Sequence, residues 1–323
     1  MPTYDRIASL VQNSVWLIEP HRGRQIADAF INRLDAGAAR PGQFLTEAEL
    51  EANRTRARVQ RVPMPPQGKN ERMRDLAVIP MIGAILPRGD AMSDMSGGGA
   101  VNLTRFQNEF MNAANDGSVG AILLEIDSPG GQVDLVSETA NMIRSQRKSG
   151  RPIVAIANTM AASAAYWLAA AADELVVTPS GMVGSIGVFQ MHQNLEGAAA
   201  MQGIQVEYIS EGPRKVEGNP FGPMDDVARA AFQADVRSAY EQFTNDVAAF
   251  RGASVATVRA DPEGSSEKSF GGGRAYSAGQ LKNMGLIGKG GMVDRVATMQ
   301  DTIARLMGRS NKTSTQKARL ALS

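Results

Sequence analysis

The chain has 323 residues, a formal net charge of +1, no cysteine and two histidines, His21 and His192. The near-neutral charge gives no general electrostatic attraction to nucleic acid or to a membrane surface. Without cysteine there is no disulfide, thiolate nucleophile or cysteine zinc site, and two distant histidines argue against a histidine metal site. The longest nearly charge-free apolar run, residues 160–172, is shorter than the roughly 20 residues of a transmembrane helix. We therefore expect a cytoplasmic protein without metal or cofactor, and with neither nucleic acid nor membrane as partner.

Residues 1–70 predict a helical arm followed by a linker. Apolar residues recur at roughly helical spacing over residues 1–35, and Pro20 interrupts the pattern. Residues 36–70 contain proline-, glycine- and arginine-rich stretches, a composition typical of a linker or a mobile arm.

An alternation of apolar strands and helices begins near residue 75 and predicts an α/β domain over residues 71–300. In such an alternation, the strands form a largely parallel sheet flanked by helices. The predicted strands are residues 76–87, 119–131, 151–158 and 173–179, and the predicted helices are 105–116, 132–150 and the segment after Ser163.

The later part of this domain contains a further predicted strand, a loop and a long helix. The strand is IQVEYIS, residues 204–210, and the helix covers residues 224–251. Residues 301–323 end in a polar and basic stretch, for which we expect a disordered tail.

A glycine turn, Ser128-Pro129-Gly130-Gly131, ends the second of these strands. Open parallel sheets bind ligands beyond the carboxyl ends of their strands, so the turn lies where a site is expected. Glycines let backbone N–H groups face outward without obstruction by a Cβ atom, and such groups form oxyanion holes. Glycine turns after strands are common, so this turn alone leaves a structural interpretation open.

Ser163 is a single hydroxyl in the alanine-rich segment NTMAASAAYWLAAAADELVV, between a predicted strand and a predicted helix. Unpaired N–H donors at a helix start favour developing negative charge, which suits a nucleophile. A serine in this place can equally be a helix cap or a packing residue. Both interpretations stay open on the segment alone.

Four blocks of the sequence, in the family's order, resemble the signal peptide peptidase A family (S49) of serine peptidases. The blocks are EIDSPGG, AASAAYWLAAAADELVVTPSGMVGSIGV, SEGPRKVEGNPF and GRAYSAGQLKNMGLI, and the resemblance covers about residues 75–296. It implies the Clp-protease/crotonase-like fold and a serine endopeptidase with a Ser-Lys dyad.

The resemblance places the nucleophile at Ser163, the general base at Lys215 and the residue that orients this base at Ser185. A serine hydroxyl is a weak nucleophile until a base takes its proton. A lysine can be that base near neutral pH only where apolar surroundings disfavour its charged form. Arg214 and Glu217 flank the lysine, and we expect Glu217 to point away from it.

The backbone N–H groups of Gly131 and Ala164 match the family's oxyanion hole, and Gly130 is a further candidate. Many family members have two glycines after the nucleophile, where this chain has Ala164 and Ala165. The two methyl groups narrow the floor of the site, and the substrate range is therefore open.

The opening stretch YDRIASLVQNSVWLIEPHRGRQIADAFINRL resembles the soluble relatives of tailed phages and prophages rather than membrane-anchored signal peptide peptidases. This implies a capsid-maturation protease that processes scaffold and capsid proteins in the host cytoplasm or the procapsid. The family forms rings whose subunit contacts complete the active sites. The expected partners are therefore polypeptide substrates and further copies of the chain, and Ser163 and Lys215 come from one chain or from two.

Several alternatives remain. His192 is a rival base, because Clp-type Ser-His-Asp peptidases place a histidine at a broadly similar distance after the serine. The chain could be a catalytically silent capsid assembly or scaffold protein on the same fold, or a bacterial peptidase that degrades signal peptides. A crotonase-type acyl-CoA enzyme shares the fold but has no need of Ser163 and Lys215 together.

Overall fold

The computed structural model describes residues 15–18, 58–66, 73–88, 100–148, 150–264 and 269–308. The chain divides into two compact units. The larger unit comprises Leu17–Gly187 and Phe243–Ser323, and the smaller comprises Met1–Trp16 and Val188–Gln242. Within the described ranges, no helix combines the length and the apolar character needed to cross a membrane.

The described elements are numbered in chain order. The strands are β1 (Trp16–Ile18), β2 (Gln60–Met64), β3 (Arg74–Ile82), β4 (Ala84–Leu86), β5 (Ala100–Asn102), β6 (Val119–Ser128), β7 (Gly130–Gln132), β8 (Ile153–Ala162), β9 (Glu174–Val177), β10 (Met182–Gly184), β11 (Ala275–Ser277) and β12 (Arg295–Val296). The helices are α1 (Leu103–Asn115), α2 (Val136–Ser145), α3 (Ala164–Ala170), α4 (Glu196–Met201), α5 (Asp226–Arg251), α6 (Val255–Arg259), α7 (Ala278–Asn283) and α8 (Met299–Leu306).

The larger unit is built on an eight-stranded sheet with parallel central strands. Its order is β11-β10-β8-β6-β3-β2, and β9 and β12 branch from β8. The pairs β3–β6, β6–β8, β8–β9 and β8–β10 are all parallel. A second sheet has the order β1-β7-β4-β5. This topology confirms the predicted α/β class with a largely parallel sheet.

The core follows from the apolar runs of the sequence. Every residue of β6 from Val119 to Leu124 is buried, as expected for a parallel strand covered on both faces. Helix α1 buries one face, including Phe106 and Phe110, and begins at Asn102, whose Oδ1 accepts a 3.0 Å hydrogen bond from the backbone N–H of Arg105. Every residue of α3 is buried, so the alanine-rich helix is a core element.

Strand β2 lies within the segment predicted as a linker. It pairs antiparallel with β3 and forms the outer edge of the sheet, with Val62 and Met64 buried against the core. Pro63 cannot donate a ladder hydrogen bond, and an edge strand tolerates it. The prediction of a linker was wrong here because proline and arginine suit an exposed edge as well as a linker.

Three further local predictions differ from the structure or fall outside it. Residues 204–210 form no strand and are exposed throughout. Trp16–Ile18 is a short strand within the predicted helical arm, of which residues 1–14 and 19–57 lie outside the described ranges. Helix α8 extends to Leu306, past the predicted start of the tail, and residues 309–323 lie outside the described ranges.

Residues 188–242 of the smaller unit have almost no interior. Among residues 188–242, all of which the structure describes, Ala228 alone is buried. Local contacts order its central turn: the Phe232 ring lies against Gly218, and the Asn219 side chain donates to the Val216 carbonyl oxygen and accepts from the Phe221 N–H. Hydrophobic burial within this unit therefore contributes little to its stability.

Gly131 lies where two backbones approach closely. It pairs with Ile85 of the parallel neighbour β4, and a Cβ atom at Gly131 would overlap the Ile85 carbonyl oxygen. The second sheet therefore requires glycine at this position.

We predict that Gly131→Ala destabilises the protein by about 1–3 kcal/mol, because a backbone carbonyl cannot move aside as a flexible side chain can. Urea unfolding measures the change. Gly117→Ala is the matched control, since a Cβ there meets nothing within 4 Å and should change stability by less than about 0.5 kcal/mol. Equal losses of stability from the two substitutions would contradict the close approach of the Gly131 and Ile85 backbones.

An aromatic cluster ties α3 to the segment around β11. The Phe270 ring centroid lies 5.1 Å from that of Tyr166 and 5.4 Å from that of Tyr276. The Tyr166 hydroxyl donates to the Met292 carbonyl oxygen at 2.9 Å, and the Tyr276 hydroxyl donates to the Gly271 carbonyl oxygen at 2.7 Å. Burial raises the pKa of Tyr276 to about 12 and also raises the pKa of Tyr166 above its ordinary value.

This cluster predicts a loss of stability at alkaline pH. The unfolded chain releases the Tyr276 proton near its ordinary pKa of about 10, whereas the folded chain holds it until about 12. The stabilisation is thus complete below pH 10 and is lost as the pH rises through 12. We expect Tyr276→Phe to reduce the decline of the unfolding free energy over this range, measured by urea unfolding at several pH values. If the unfolding free energy of Tyr276→Phe declined with pH as much as that of the unmodified protein, Tyr276 would not be the cause of the decline.

Candidate active site

Ser163 lies at the junction between β8 and the buried helix α3. Its backbone has φ 57° and ψ −119°, a region that residues other than glycine rarely adopt. The Ser163 N–H donates to the Gly184 carbonyl oxygen at 2.7 Å, and its own carbonyl oxygen accepts from the Trp167 N–H at 3.0 Å. Strained backbone of this kind is concentrated at functional sites, where the surrounding structure enforces it.

The Ser163 hydroxyl is buried and has no hydrogen-bond partner among the described residues. It makes no capping bond to α3, although the serine occupies the position before the helix. A buried hydroxyl without a partner costs about 1–3 kcal/mol, so such groups are rare and call for an explanation. The structure therefore argues against the capping interpretation and supports a chemical role.

Helix α3 is held by contacts on its buried side chains. The Trp167 ring stacks on Phe243 of α5, with ring centroids 4.7 Å apart, and its Nε1–H donates to Asp246 Oδ2 at 3.0 Å. The same oxygen accepts from the Ser137 hydroxyl of α2 at 3.1 Å. These contacts fix the helix that begins beside Ser163.

The glycine turn lies beside this junction. Ser128 pairs with Ala161, two residues before Ser163, and α3 packs against β7. The Gly130 N–H donates to Ser128 Oγ at 3.2 Å, so this donor is already used within the turn. The Ala164 N–H belongs to the first turn of α3 and has no acceptor within the helix. Of the predicted oxyanion-hole groups, Gly131 and Ala164 thus lie on adjoining elements.

Ser185 directly follows Gly184, whose carbonyl oxygen holds Ser163. It also has a positive φ of 55°, and its hydroxyl donates to the Gly273 carbonyl oxygen at 3.3 Å. Its N–H donates to the Arg274 carbonyl oxygen at 2.6 Å. The structure therefore brings Ser163 and Ser185 to neighbouring strand ends of the larger unit.

Lys215 belongs to the smaller unit and lies on an exposed turn, where its N–H donates to the Gly212 carbonyl oxygen at 3.1 Å. Arg214 Nη1 and Glu217 Oε1 form an ion pair of 2.8 Å with each other. The two flanking charges are therefore engaged together, and the Lys215 side chain is exposed within the single chain.

His192, the rival base, is half-buried in the smaller unit. Its Nε2 lies 3.1 Å from the Asn219 carbonyl oxygen, which requires Nε2 to carry the proton and donate it. This bond gives the histidine a structural role in holding the turn at Asn219.

Two supporting groups of the site carry no local sequence signal. Asp246 accepts a hydrogen bond from Trp167, which lies 79 residues earlier in the sequence, and the Gly273 carbonyl oxygen accepts one from Ser185, which lies 88 residues earlier. The tryptophan itself is the one indication in the sequence, because a buried tryptophan N–H usually has an acceptor. The sequence does not show which residue that acceptor is.

Comparison with known proteins adds to this geometry. The model of Peptidase family S49 matches residues 145–312, which include Ser163, Ser185 and Lys215. Capsid assembly protease C of Escherichia phage lambda is 33% identical over 258 residues, which cover 78% of this chain and 57% of that protein. Head-tail preconnector protein GP5 of Enterobacteria phage P21 is 34% identical over 186 residues, or 57% of this chain and 36% of that protein.

More distant matches include Protease 4 of Haemophilus influenzae, 26% identical over 168 residues that cover 52% of this chain and 26% of that protein. A ClpP1 mutant from Listeria monocytogenes matches with 15% identity and a TM-score of 0.36, over 69% of this chain and 92% of that one. The chain spans just over half of the lambda protein and about a third of the P21 protein. Since the family model covers more than half of the chain and includes the unpartnered serine, the chain belongs to peptidase family S49.

Proposed function

We propose that the protein is a serine endopeptidase with a Ser-Lys dyad, in which Ser163 is the nucleophile and Lys215 the general base. The observation that carries the proposal is the buried Ser163 hydroxyl, which lies on strained backbone at a strand end and has no hydrogen-bond partner in the described part of the chain. Membership of a peptidase family supports the same chemistry.

In this mechanism the neutral Lys215 amine takes the Ser163 hydroxyl proton while Oγ attacks the carbonyl carbon of the scissile peptide bond. The backbone N–H groups of Gly131 and Ala164 donate to the oxyanion that forms. The C–N bond then breaks, the leaving amine takes the proton from Lys215, and an acyl-enzyme remains on Ser163. A water that gives a proton to Lys215 then attacks the ester carbon, the ester C–O bond breaks to release the acid, and Lys215 returns the proton to Ser163 Oγ. Ser185 orients the lysine.

The exposure of Lys215 within one chain bears on where this chemistry takes place. The proposed mechanism needs apolar surroundings for the Lys215 amine, whereas this side chain is exposed within the single chain. We propose that assembly supplies those surroundings, in a ring-shaped homo-oligomer whose active sites form at subunit contacts. Ser163 and Lys215 of one site then come from neighbouring chains.

The smaller unit supports this assembly. Its described segment, residues 188–242, has one buried residue and exposes large apolar side chains, among which Met201 is 86% and Ile209 is 96% exposed. A segment without a core of its own needs contacts with other surfaces to offset the conformational entropy that it loses on becoming ordered. Exposed clusters of apolar side chains commonly mark protein interfaces. Ile204, Val206 and Tyr208 are also exposed, and they occupy every second position of the sequence, as the residues on one face of a paired strand do.

The two phage relatives favour a role in head maturation, with capsid and scaffold proteins as substrates. One is named a capsid assembly protease and the other a head-tail preconnector protein. Mass spectrometry of candidate capsid proteins, co-expressed with the unmodified protein or with Ser163→Ala, tests this role. Fragments that require Ser163 support it, and their absence with every head protein of the source genome argues against it.

We predict that Ser163→Ala and Lys215→Ala each lower peptide cleavage by at least about 10³-fold, because each removes one half of a unit that works only when complete. His192→Ala should lower the rate far less than either of these, since His192 takes no proton in the proposed mechanism and its ring only holds the Asn219 turn. Initial rates on a set of extended peptides measure the three effects. If the histidine substitution abolishes cleavage and the lysine substitution does not, His192 is the base and the dyad is wrong.

A serine-reactive phosphonate separates the peptidase from a catalytically silent assembly protein. The peptidase forms a covalent adduct at Ser163, whereas a silent protein forms none although it still assembles. Binding of a CoA ester without peptide cleavage would instead indicate an acyl-CoA enzyme of the crotonase type.

Mixing two inactive variants tests the shared site. If each site combines Ser163 of one chain with Lys215 of its neighbour, a randomly mixed ring of Ser163→Ala and Lys215→Ala chains regains about a quarter of the original activity. The rate after subunit exchange measures this recovery. Ile209→Lys should weaken assembly and reduce both activity and recovery, whereas Gln205→Lys, at an exposed neutral residue of the same segment, is the charge-matched control. No recovery, despite exchange shown by mass spectrometry, would place both residues in one chain.

A further inference from the structure

Strand β8 carries two extra residues shortly before Ser163. Along β6, Ile126 pairs with Ala157 and Ser128 pairs with Ala161, so a step of two residues on β6 faces a step of four on β8. On its other side, β8 pairs with β9 up to Ala157 and with β10 from Met160 onward. Asn158 and Thr159 therefore lie outside both ladders, at the point where β8 changes its neighbour.

Two carboxylates of β6 hold these two residues. Asn158 Nδ2 donates to Glu125 Oε1 at 2.8 Å, and Thr159 Oγ1 donates to Asp127 Oδ1 at 3.1 Å. Charged acceptors form the stronger class of hydrogen bond, and the ladder bonds are interrupted here. We name the four residues Glu125, Asp127, Asn158 and Thr159 the bulge clamp.

The bulge clamp lies between the two halves of the proposed site. On β6, Asp127 is followed directly by the turn that leads to Gly131, and its carbonyl oxygen accepts from the Gly83 N–H at 2.9 Å. On β8, Thr159 is followed within four residues by Ser163. A change in the path of the bulge thus moves the nucleophile relative to the Gly131 N–H.

We infer that Asp127 and Glu125 are positioning residues of the reaction: through Thr159 and Asn158 they set the distance between Ser163 Oγ and the oxyanion-hole donors. This inference rests on the proposed function for its catalytic consequence. Its structural part concerns the end of β8 and stands on the register and the two hydrogen bonds. Neither carboxylate touches the substrate in this account.

Asp127→Ala should lower kcat and the rate of phosphonate labelling at Ser163 by about 10- to 100-fold, with KM changed less than about twofold, because small misplacements of reacting atoms have effects of this size. Thr159→Val removes the same hydrogen bond from an exposed side chain and should have the same effect. The double variant should be no worse than either single variant. Asp127→Asn keeps an oxygen that accepts from Thr159 and should recover most of the rate.

The matched control is Asp301→Ala. Asp301 Oδ2 accepts from the Thr298 hydroxyl at 2.8 Å at the start of α8, so the same kind of pair is removed elsewhere. This variant should keep the full kcat. Urea unfolding of all variants shows whether a loss of rate merely follows a loss of stability.

Amide hydrogen exchange tests the structural part without any need for activity. Asp127→Ala and Thr159→Val should speed exchange in peptides that contain residues 158–164, including the Ser163 N–H bonded to Gly184, and Asp301→Ala should not. Unchanged exchange overturns the inference. Two further results would also overturn the inference. One is an unmodified protein that is active while its Asp127→Ala and Thr159→Val variants keep the full kcat. The other is an Asp127→Asn variant that is as slow as Asp127→Ala. A protein that neither cleaves nor labels, yet shows the expected exchange, overturns the proposed function and leaves the bulge clamp supported.

Discussion

A buried serine hydroxyl without a hydrogen-bond partner among the described residues, on backbone that a serine adopts at a cost, is the constraint around which the larger unit is organised. The Gly184 carbonyl fixes the Ser163 N–H, and the contacts of Trp167 with Phe243 and Asp246 fix the helix that follows. Each of these elements lies far from the others in sequence, so the geometry at Ser163 depends on the whole sheet and its covering helices being formed.

The two units differ in what stabilises them. The larger unit buries continuous apolar strands and a fully buried helix, which is the usual source of stability in an α/β domain. Residues 188–242, which contain Lys215, bury almost nothing within the chain. The proposed nucleophile thus belongs to the unit with a buried core, and the proposed base to a segment with almost no buried residue of its own. This asymmetry is a physical reason for catalysis to depend on assembly.

Much of the larger unit could be predicted from the sequence, because buried parallel strands are continuous apolar runs and their order along the chain implies the sheet. The same patterns do not distinguish exposed extended chain from a paired strand: residues 204–210 alternate as a strand does, yet they are unpaired in the described chain. Strand β2 shows the reverse, since Arg61 and Pro63 suit a linker but also an edge strand. The candidate residues Ser163, Ser185 and Gly131 could be placed through motif resemblance. Their supports could not, because Asp246 and the bulge clamp act through contacts between distant residues.

Complete burial of the Ser163 side chain has a consequence for when the protein could act. If the Ser163 oxygen is as closed to a polypeptide as it is to water in the single chain, the proposed peptidase is latent until it assembles. Newly synthesised copies would then be harmless to other proteins around them. A high local concentration of copies would start the cleavage, which would then begin at the site of assembly and not at the site of synthesis.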